Sequence, residues 1–413
     1  MKKQKIVILG GGFGGVYSYL SLRKYLGRNE AEVVFISKTN YFLFTPLLHE
    51  VATGGLDDEE VVESIRSISY KTGADVMVAD VVGVDTERRV VRTSSGDVSY
   101  DYLVVALGGT TNFYNIPGAQ EHALVLKDLA NAVDIRNRFI STFEEASHIE
   151  NAETRKKMLS FVVVGGGPTG VELVAEMADL FFNAFRKYYK GHICAGDVSI
   201  HLINKGPELL PMFDPVLRAR TLSVLRAKGV DVLLNKDVSE VTKQSVRLAD
   251  GEVIPASHVL WAAGVMPQPL EFDREVERDR GGRIIVDEFL RVKNTDTLFA
   301  LGDIASYTPD AGMPLPMLAQ VAVQQGAIVG KNIAAHIRGQ RLSRFTYHSR
   351  GSLVSLGKWQ AVGKVFGTLW TGPLGWWMWR TVYLFNFASW PKRIKIAVDW
   401  TIHLFYPRDI TKA

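Results

Sequence analysis

Ile6-Val7-Ile8-Leu9 runs directly into Gly10-Gly11-Gly12-Phe13-Gly14-Gly15, and this junction restricts the fold more than any other stretch of the chain. Four apolar residues in a row suit a strand buried on both faces of a parallel sheet. Gly10, Gly12 and Gly15 then fit G-x-G-x-x-G, with a helix expected over residues 16–26. In that motif the first glycine makes the tight turn, the second lets a pyrophosphate lie against bare backbone, and the third lets helix and strand pack closely. The phosphate charge rests on the free N–H groups and positive dipole end of the helix. A single fingerprint is weak evidence, because glycine turns also occur without ligands. Here the pattern returns: Phe161-Val162-Val163-Val164 precedes Gly165-Gly166-Gly167-Pro168-Thr169-Gly170-Val171-Glu172, with Gly165, Gly167 and Gly170 in the same spacing. Two such units in one chain suggest two nucleotide cofactors and electron transfer between them.

The surroundings of the fingerprints repeat as well. Residues 31–36 and 198–203 read as the second strand of each unit. A dinucleotide fold places an acidic residue at the end of that strand to hold the ribose hydroxyls. This chain has Ser37 and Lys38 in the first unit and Asn204 and Lys205 in the second. Serine and asparagine can bind hydroxyls but do not repel a 2′-phosphate, so the preference between NADH and NADPH stays open. Residues 75–91, with a Ser95-Gly96-Asp97 turn, and 238–253, with an Asp250-Gly251 turn, read as antiparallel meanders. Residues 102–109 and 259–265 are strands running into glycine. The predicted fold class is α/β, with two Rossmann-like dinucleotide-binding domains of the glutathione-reductase-like kind. The predicted boundaries are 1–120 and 276–345 for the first domain, 121–275 for the second, and 346–413 for a C-terminal membrane-associating region.

Three further stretches carry chemistry. Asp303 follows an apolar strand and Gly302, where a carboxylate can hold a ribityl chain; a turn aspartate is the plainer alternative. Gln320 and Gln324 share one helix face beside the small Ala319 and Ala322, which spacing alone reads as an ordinary helix start. The segment from Asn40 to Leu48 is either domain core or the flank of a flavin ring. In the tail, residues 375–388 are apolar apart from Arg380 and Asn386, too short to span a bilayer comfortably. After Pro391, the residues Ile394, Val398, Ile402 and Phe405 form one apolar stripe, with Lys392, Lys395 and Asp399 off it. With the dense tryptophans this describes an interfacial helix more than a dimer or core helix. The single cysteine, Cys194, excludes a redox-cysteine pair and a thiolate metal site, and no metal is expected. A net charge of +4 without a basic block gives no reason to expect nucleic acid. The start Met-Lys-Lys-Gln-Lys leaves no room for a signal peptide before the first strand, which predicts a peripheral protein on the cytoplasmic face of the cell inner membrane.

These residues resemble the type II, single-subunit and non-pumping NADH:quinone oxidoreductases. The fingerprints, Gly302-Asp303, the segment from Asn40 and above all Ala319-Gln320-Val321-Ala322-Val323-Gln324 carry the resemblance, the last like the family's A-Q-x-A-x-Q signature. The resemblance implies hydride transfer from NADH to FAD and two-electron reduction of a membrane quinone. It implies FAD contacts at Gly10, Gly12, Phe13, Gly14, Gly15, Ser37, Lys38, Thr45, Pro46, Val82, Ala106, Gly108, Asp303, Ala319 and Gln320. For NADH it implies Gly165, Gly167, Pro168, Thr169, Gly170, Glu172, Asn204, Ala263 and Gly264. Ala319, Gln320, Ala322 and Gln324 fall to the quinone, with Glu172, Gln320 and Gln324 as catalytic candidates. It also implies a homodimer and C-terminal helices lying on the membrane surface. Ser37, Asn204 and Leu107 depart from the usual pattern of related flavoproteins. The alternatives are a flavoprotein reductase with a soluble acceptor and a non-catalytic NADH-sensing flavoprotein.

Overall fold

The computed structural model describes residues 3–309, 312–385, 387, 390–406, 408 and 411. It forms two compact units. One comprises residues up to Leu43, Val62–Thr110 and Val265–Ser349; the other comprises Phe44–Val61, Thr111–Gly264 and the chain from Arg350 onward. The chain passes between the units after Leu43, Val61, Thr110, Gly264 and Ser349. Phe44–Val61 and the C-terminal tail both pack into the second unit.

The first unit is built on a five-stranded parallel sheet in the order Leu298–Ala300, Tyr102–Val105, Gln4–Leu9, Ala31–Ser37, Asp75–Val78. The fingerprint strand is central, so both its neighbours shield it and every residue from Ile6 to Leu9 is buried. Its helix, Phe13–Tyr25, starts three residues earlier than the predicted 16, because glycine needs no side-chain room in the first turn. The helix Ala319–Ile337 lies directly against it. A Cβ on Gly326 would stand 2.8 Å from the Gly14 carbonyl oxygen, and one on Gly330 would strike the Ser18 carbonyl. The hydroxyls of Ser18 and Ser21 donate to Gly14 O and Ala327 O at 2.7 and 2.6 Å. The predicted meander is smaller than residues 75–91. Asp75–Val78 pairs in parallel with Ala31–Ser37, and only Val81–Asp85, Val90–Thr93 and Val98–Ser99 form the antiparallel ribbon. No turn residue separates Asp75–Val78 from its role as the edge strand, so the parallel sheet takes it.

The second unit repeats the plan in the order Ala123–Val125, His258–Trp261, Ser160–Val164, Ser199–Asn204, Val230–Leu234, all parallel. Its meander, Val238–Val241, Ser245–Leu248 and Val253–Pro255, is antiparallel as predicted. The fingerprint helix spans Pro168–Asp179, with proline in the first turn where its missing N–H costs nothing. It runs on through a π-helical stretch, Leu180–Phe185, that seats Phe181 and Phe185 against Phe143 at ring separations of 5.0 and 4.5 Å. The tail adds a three-stranded antiparallel sheet (Ser352–Ser355, Ala361–Val365, Thr368–Thr371) and the helices Gly372–Phe385 and Trp390–Phe405. Asn386 and Ala388 of the predicted apolar stretch lie outside the described residues. Among the described residues no helix is long and apolar enough to cross a membrane.

Candidate active site

The two glycine turns have the same construction. Gly10 and Gly165 sit at φ +104° and +117°, each pressed against the backbone of the neighbouring strand, Ala106 and Ala262 respectively. A Cβ on either would meet that backbone, so the turn needs glycine twice over. Gly12 and Gly167 are the N-caps of the two helices, neither carries a side-chain cap, and a Cβ on either would touch nothing within 4 Å. Each helix therefore opens its first turn toward free space with no side-chain cap, which fits a diphosphate. Gly108, at φ +73°, also faces open space, and Ala106 beside it is buried. These are the features that an FAD in the first unit and an NADH in the second require. Phe13 and Gly14 fall in the first helical turn; Gly14 is buried against Leu301, and Gly15 closes on the Gly10 carbonyl. Pro168, Thr169 and Gly170 repeat this, with Gly170 on Gly165 and Ala262. Gly264 faces the Tyr114 ring, next to the partly exposed Ala263.

The residues at the ribose positions serve the protein first. A Cβ on Gly11 would lie 2.8 Å from Ser37 Oγ, and one on Gly166 would lie 2.8 Å from Asn204 Oδ1. Each polar side chain is tucked under the middle glycine of its own fingerprint. Asn204 Oδ1 accepts from Gly166 N at 3.0 Å, and its Nδ2 donates to Gly206 O and Glu208 O at 3.0 and 2.9 Å. With both amide hydrogens spent, Asn204 braces the loop and keeps only acceptor capacity for a ribose. Lys205 pairs with Asp237 at 2.7 Å, and Lys38 is exposed. Val82 stands on the antiparallel ribbon and is half exposed; Thr45 is exposed and Pro46 partly so, and both belong to the second unit rather than the first.

On the helix Ala319–Ile337, Gln320 is partly exposed in the first turn, with Ala319 beside it and Ala322 buried one turn on. Gln324 does not point free: its Nε2 donates to His348 O at 2.9 Å and its Oε1 accepts from His348 N at 3.1 Å. Sequence reasoning passed over Gln325, which is buried and accepts from Gly302 N at 2.7 Å, holding the turn that carries Asp303. Glu172 is 6 % exposed, and its Oε1 accepts from Ser355 N at 3.1 Å. Burial pushes its carboxyl well above the ordinary carboxylate range, with the Ser355 N–H opposing.

The family description "Pyridine nucleotide-disulphide oxidoreductase" matches residues 4–326, and "NDH2 C-terminal domain" matches 349–409. A probable NADH dehydrogenase of Dictyostelium discoideum is 32 % identical over 100 % of this chain and 92 % of its own length. The type II NADH:quinone oxidoreductase of Staphylococcus aureus is 32 % identical over 88 % of this chain and 90 % of its own. The chain belongs to the type II NADH:quinone oxidoreductase family. The solved structure of NDH2 from Plasmodium falciparum in complex with NADH superposes with a TM-score of 0.91 at 25 % identity, covering 100 % of both chains.

This type II oxidoreductase buries more titratable groups in its second unit than its motifs announced. Around Glu172 stand His49, Glu50 and Glu176, each no more than 6 % exposed. Glu50 accepts from Trp400 Nε1 at 2.8 Å, and Glu176 is ion-paired with Arg408. Asp179, one turn further along the helix, is paired with Lys228 and accepts from Lys358 N at 2.6 Å. Arg380 stacks on Trp376 with its guanidinium 3.7 Å from the ring centroid. The sequence carries a signal for this: acids at 172, 176 and 179 share one face of a helix whose other residues from Val171 onward are apolar. Three tail tryptophans, Trp376, Trp379 and Trp400, are buried beside this cluster. Along the stripe, Ile394, Val398, Ile402 and Phe405 are 61, 50, 45 and 79 % exposed.

Proposed function

We propose that the two glycine cradles divide the work of NADH:quinone oxidoreduction, the first holding FAD and the second NADH, and that Gln320 and Glu172 serve the quinone. The duplicated, uncapped helix N-terminus carries this reading, since one chain that binds two dinucleotides is built to pass electrons between them. Bound FAD supplies the two-electron store between hydride donor and quinone. Gln320 offers an amide to a quinone carbonyl. Gln324 acts one step back, fixing the His348 backbone through its paired bonds. Glu172, buried and with its carboxyl raised by that burial, is the group we assign to carry a proton to the reduced quinone. The test compares Gln320→Leu with wild type in NADH oxidation by a short-chain quinone. The reading expects a higher quinone KM with NADH-driven flavin bleaching unchanged; equal loss with a soluble protein acceptor would favour the soluble-acceptor reductase.

The exposed stripe of Trp390–Phe405 is the surface we assign to the membrane. On this reading the protein is peripheral, on the cytoplasmic face. The rival occupant is a second copy of the chain, the homodimer that the family resemblance implies. Flotation with anionic vesicles beside sedimentation of the free protein separates the two: Ile394→Glu with Val398→Glu should abolish flotation and leave the sedimentation coefficient unchanged.

A further inference from the structure

The second unit contains a bridge that the roles above do not use. His49 lies in the short helix Leu48–Ala52, is 3 % exposed, and stands between two sets of carboxyl groups. Its Nδ1 is 3.7 Å from Glu172 Oε2. A ring nitrogen of His49 and carboxylate oxygens of Glu50 and Glu176 also lie within 4.8 Å of one another. Its Nε2 is buried with no hydrogen-bond partner among the described residues. Glu172, Glu176 and Asp179 follow one another along a single helix face, and Asp179 ends the row beside Lys228 and Lys358 near the surface.

We propose that His49 is the proton-relay residue of quinone reduction, linking Glu172 to the Glu50–Glu176 pair and through Asp179 to solvent. The inference rests on Glu172 serving the quinone. Reducing a quinone to a quinol takes two electrons and two protons. The hydride of NADH brings both electrons and one proton, so each turnover draws one further proton from water. When Glu172 gives up its proton, its O–H bond breaks and a carboxylate is left buried. His49 restores it: one ring nitrogen gains N–H as a carboxyl O–H on the acidic side breaks, the other ring nitrogen releases its proton to Glu172, and a half-turn of the ring resets the tautomer. A buried carboxylate without such a supply would stall the cycle.

The groups facing His49 suit the task. From the fingerprint helix come Glu172 and Glu176; from its own helix comes Glu50; from the tail comes Arg408, with the Pro46 backbone hydrogen-bonded to His49 and Arg380 acting on Glu50. Burial pushes His49 down to about 4, so the resting ring is neutral and able to accept at one nitrogen and donate at the other. Burial pushes Glu50 up to about 7, where it is protonated in part of the molecules at neutral pH. Two guanidinium groups already balance the carboxylates, so protons rather than a cation are what the cluster is built to exchange.

The experiment uses full-length, flavin-loaded protein in anaerobic stopped flow, with a short-chain benzoquinone, in H2O and D2O. For His49→Gln the relay predicts NADH-driven bleaching at the wild-type rate, quinone-driven recovery slowed roughly ten-fold or more, and a larger solvent isotope effect on recovery alone. Glu50→Gln, which still accepts from Trp400, should show the same pattern in weaker form and carries the test if His49→Gln fails to load flavin. Wild-type recovery with an unchanged isotope effect would overturn the relay. So would a loss that disappears at saturating quinone, since that marks a binding role. Glu172→Gln separates the two claims: if it recovers normally, Glu172 does not serve the quinone and the relay falls with it; if it is slow while both other variants are normal, only the relay falls.

Discussion

Glu50 shows how one buried side chain makes the whole chain pH-sensitive. Its carboxyl is held up to about 7, against an ordinary 4.5, first by burial and then by the Glu176 charge, with Arg380 opposing. The folded state therefore keeps a proton that the unfolded chain releases over that interval. This contribution to stability is complete below the ordinary carboxylate pKa and is lost as pH rises through the folded value. Glu50→Gln keeps the acceptor for Trp400 but cannot ionise, so in denaturant titrations its midpoint should gain on wild type between about pH 5 and about pH 8. A constant gap across that range would contradict the assignment. Gln325 gives a second prediction. Gln325→Leu leaves Gly302 N–H without its buried acceptor, which costs about 1–3 kcal/mol. It should also loosen the turn carrying Asp303, seen as faster flavin loss on dilution. Neither residue was legible as functional: Gln325 sits beside a signature glutamine and Glu50 beside a histidine, and only the fold shows which side chains turn inward.

Within elements, what could be read from the sequence was whatever local geometry enforces. The glycines of both fingerprints, the strands leading into them and the Val238–Pro255 meander follow from spacing and turn chemistry alone. The extent of the first meander did not, because Asp75–Val78 has the composition of either a ribbon or an edge strand, and pairing with Ala31–Ser37 decides it. The π-helical stretch after Asp179 was hidden for a similar reason: aromatic packing across the unit, not local preference, sets it. Glycine also marks the close contact of Phe13–Tyr25 with Ala319–Ile337. Gly330→Ala forces a Cβ onto the Ser18 carbonyl, where only backbone movement can make room. It should cost about 1–3 kcal/mol and shift the fingerprint helix that caps the first cradle. Thermal denaturation with and without added FAD checks this, and an unchanged midpoint would mean the helices separate more easily than their packing indicates.

At the scale of the molecule, duplication made the architecture readable, since two similar units each state the same plan. The buried cluster was not readable, because it joins residues as distant in sequence as His49, Glu172, Ser355 and Arg408, and no local pattern links them. Three of the tail's seven tryptophans complete that cluster, while the apolar stripe outside it stays exposed. The membrane and the proton supply are thus assigned to opposite sides of the same tail helix, with Trp400 inward and Val398 outward. The central claim, that two nucleotide cradles pass electrons from NADH to quinone, is tested most directly by flavin absorbance in anaerobic stopped flow. Purified protein mixed with NADH should bleach rapidly, and a second mix with a short-chain quinone should restore the absorbance as fast as steady-state turnover requires. NADPH in parallel should bleach more slowly, because Lys205 is already paired with Asp237. Bleaching that quinone does not reverse would contradict the account and point to another acceptor.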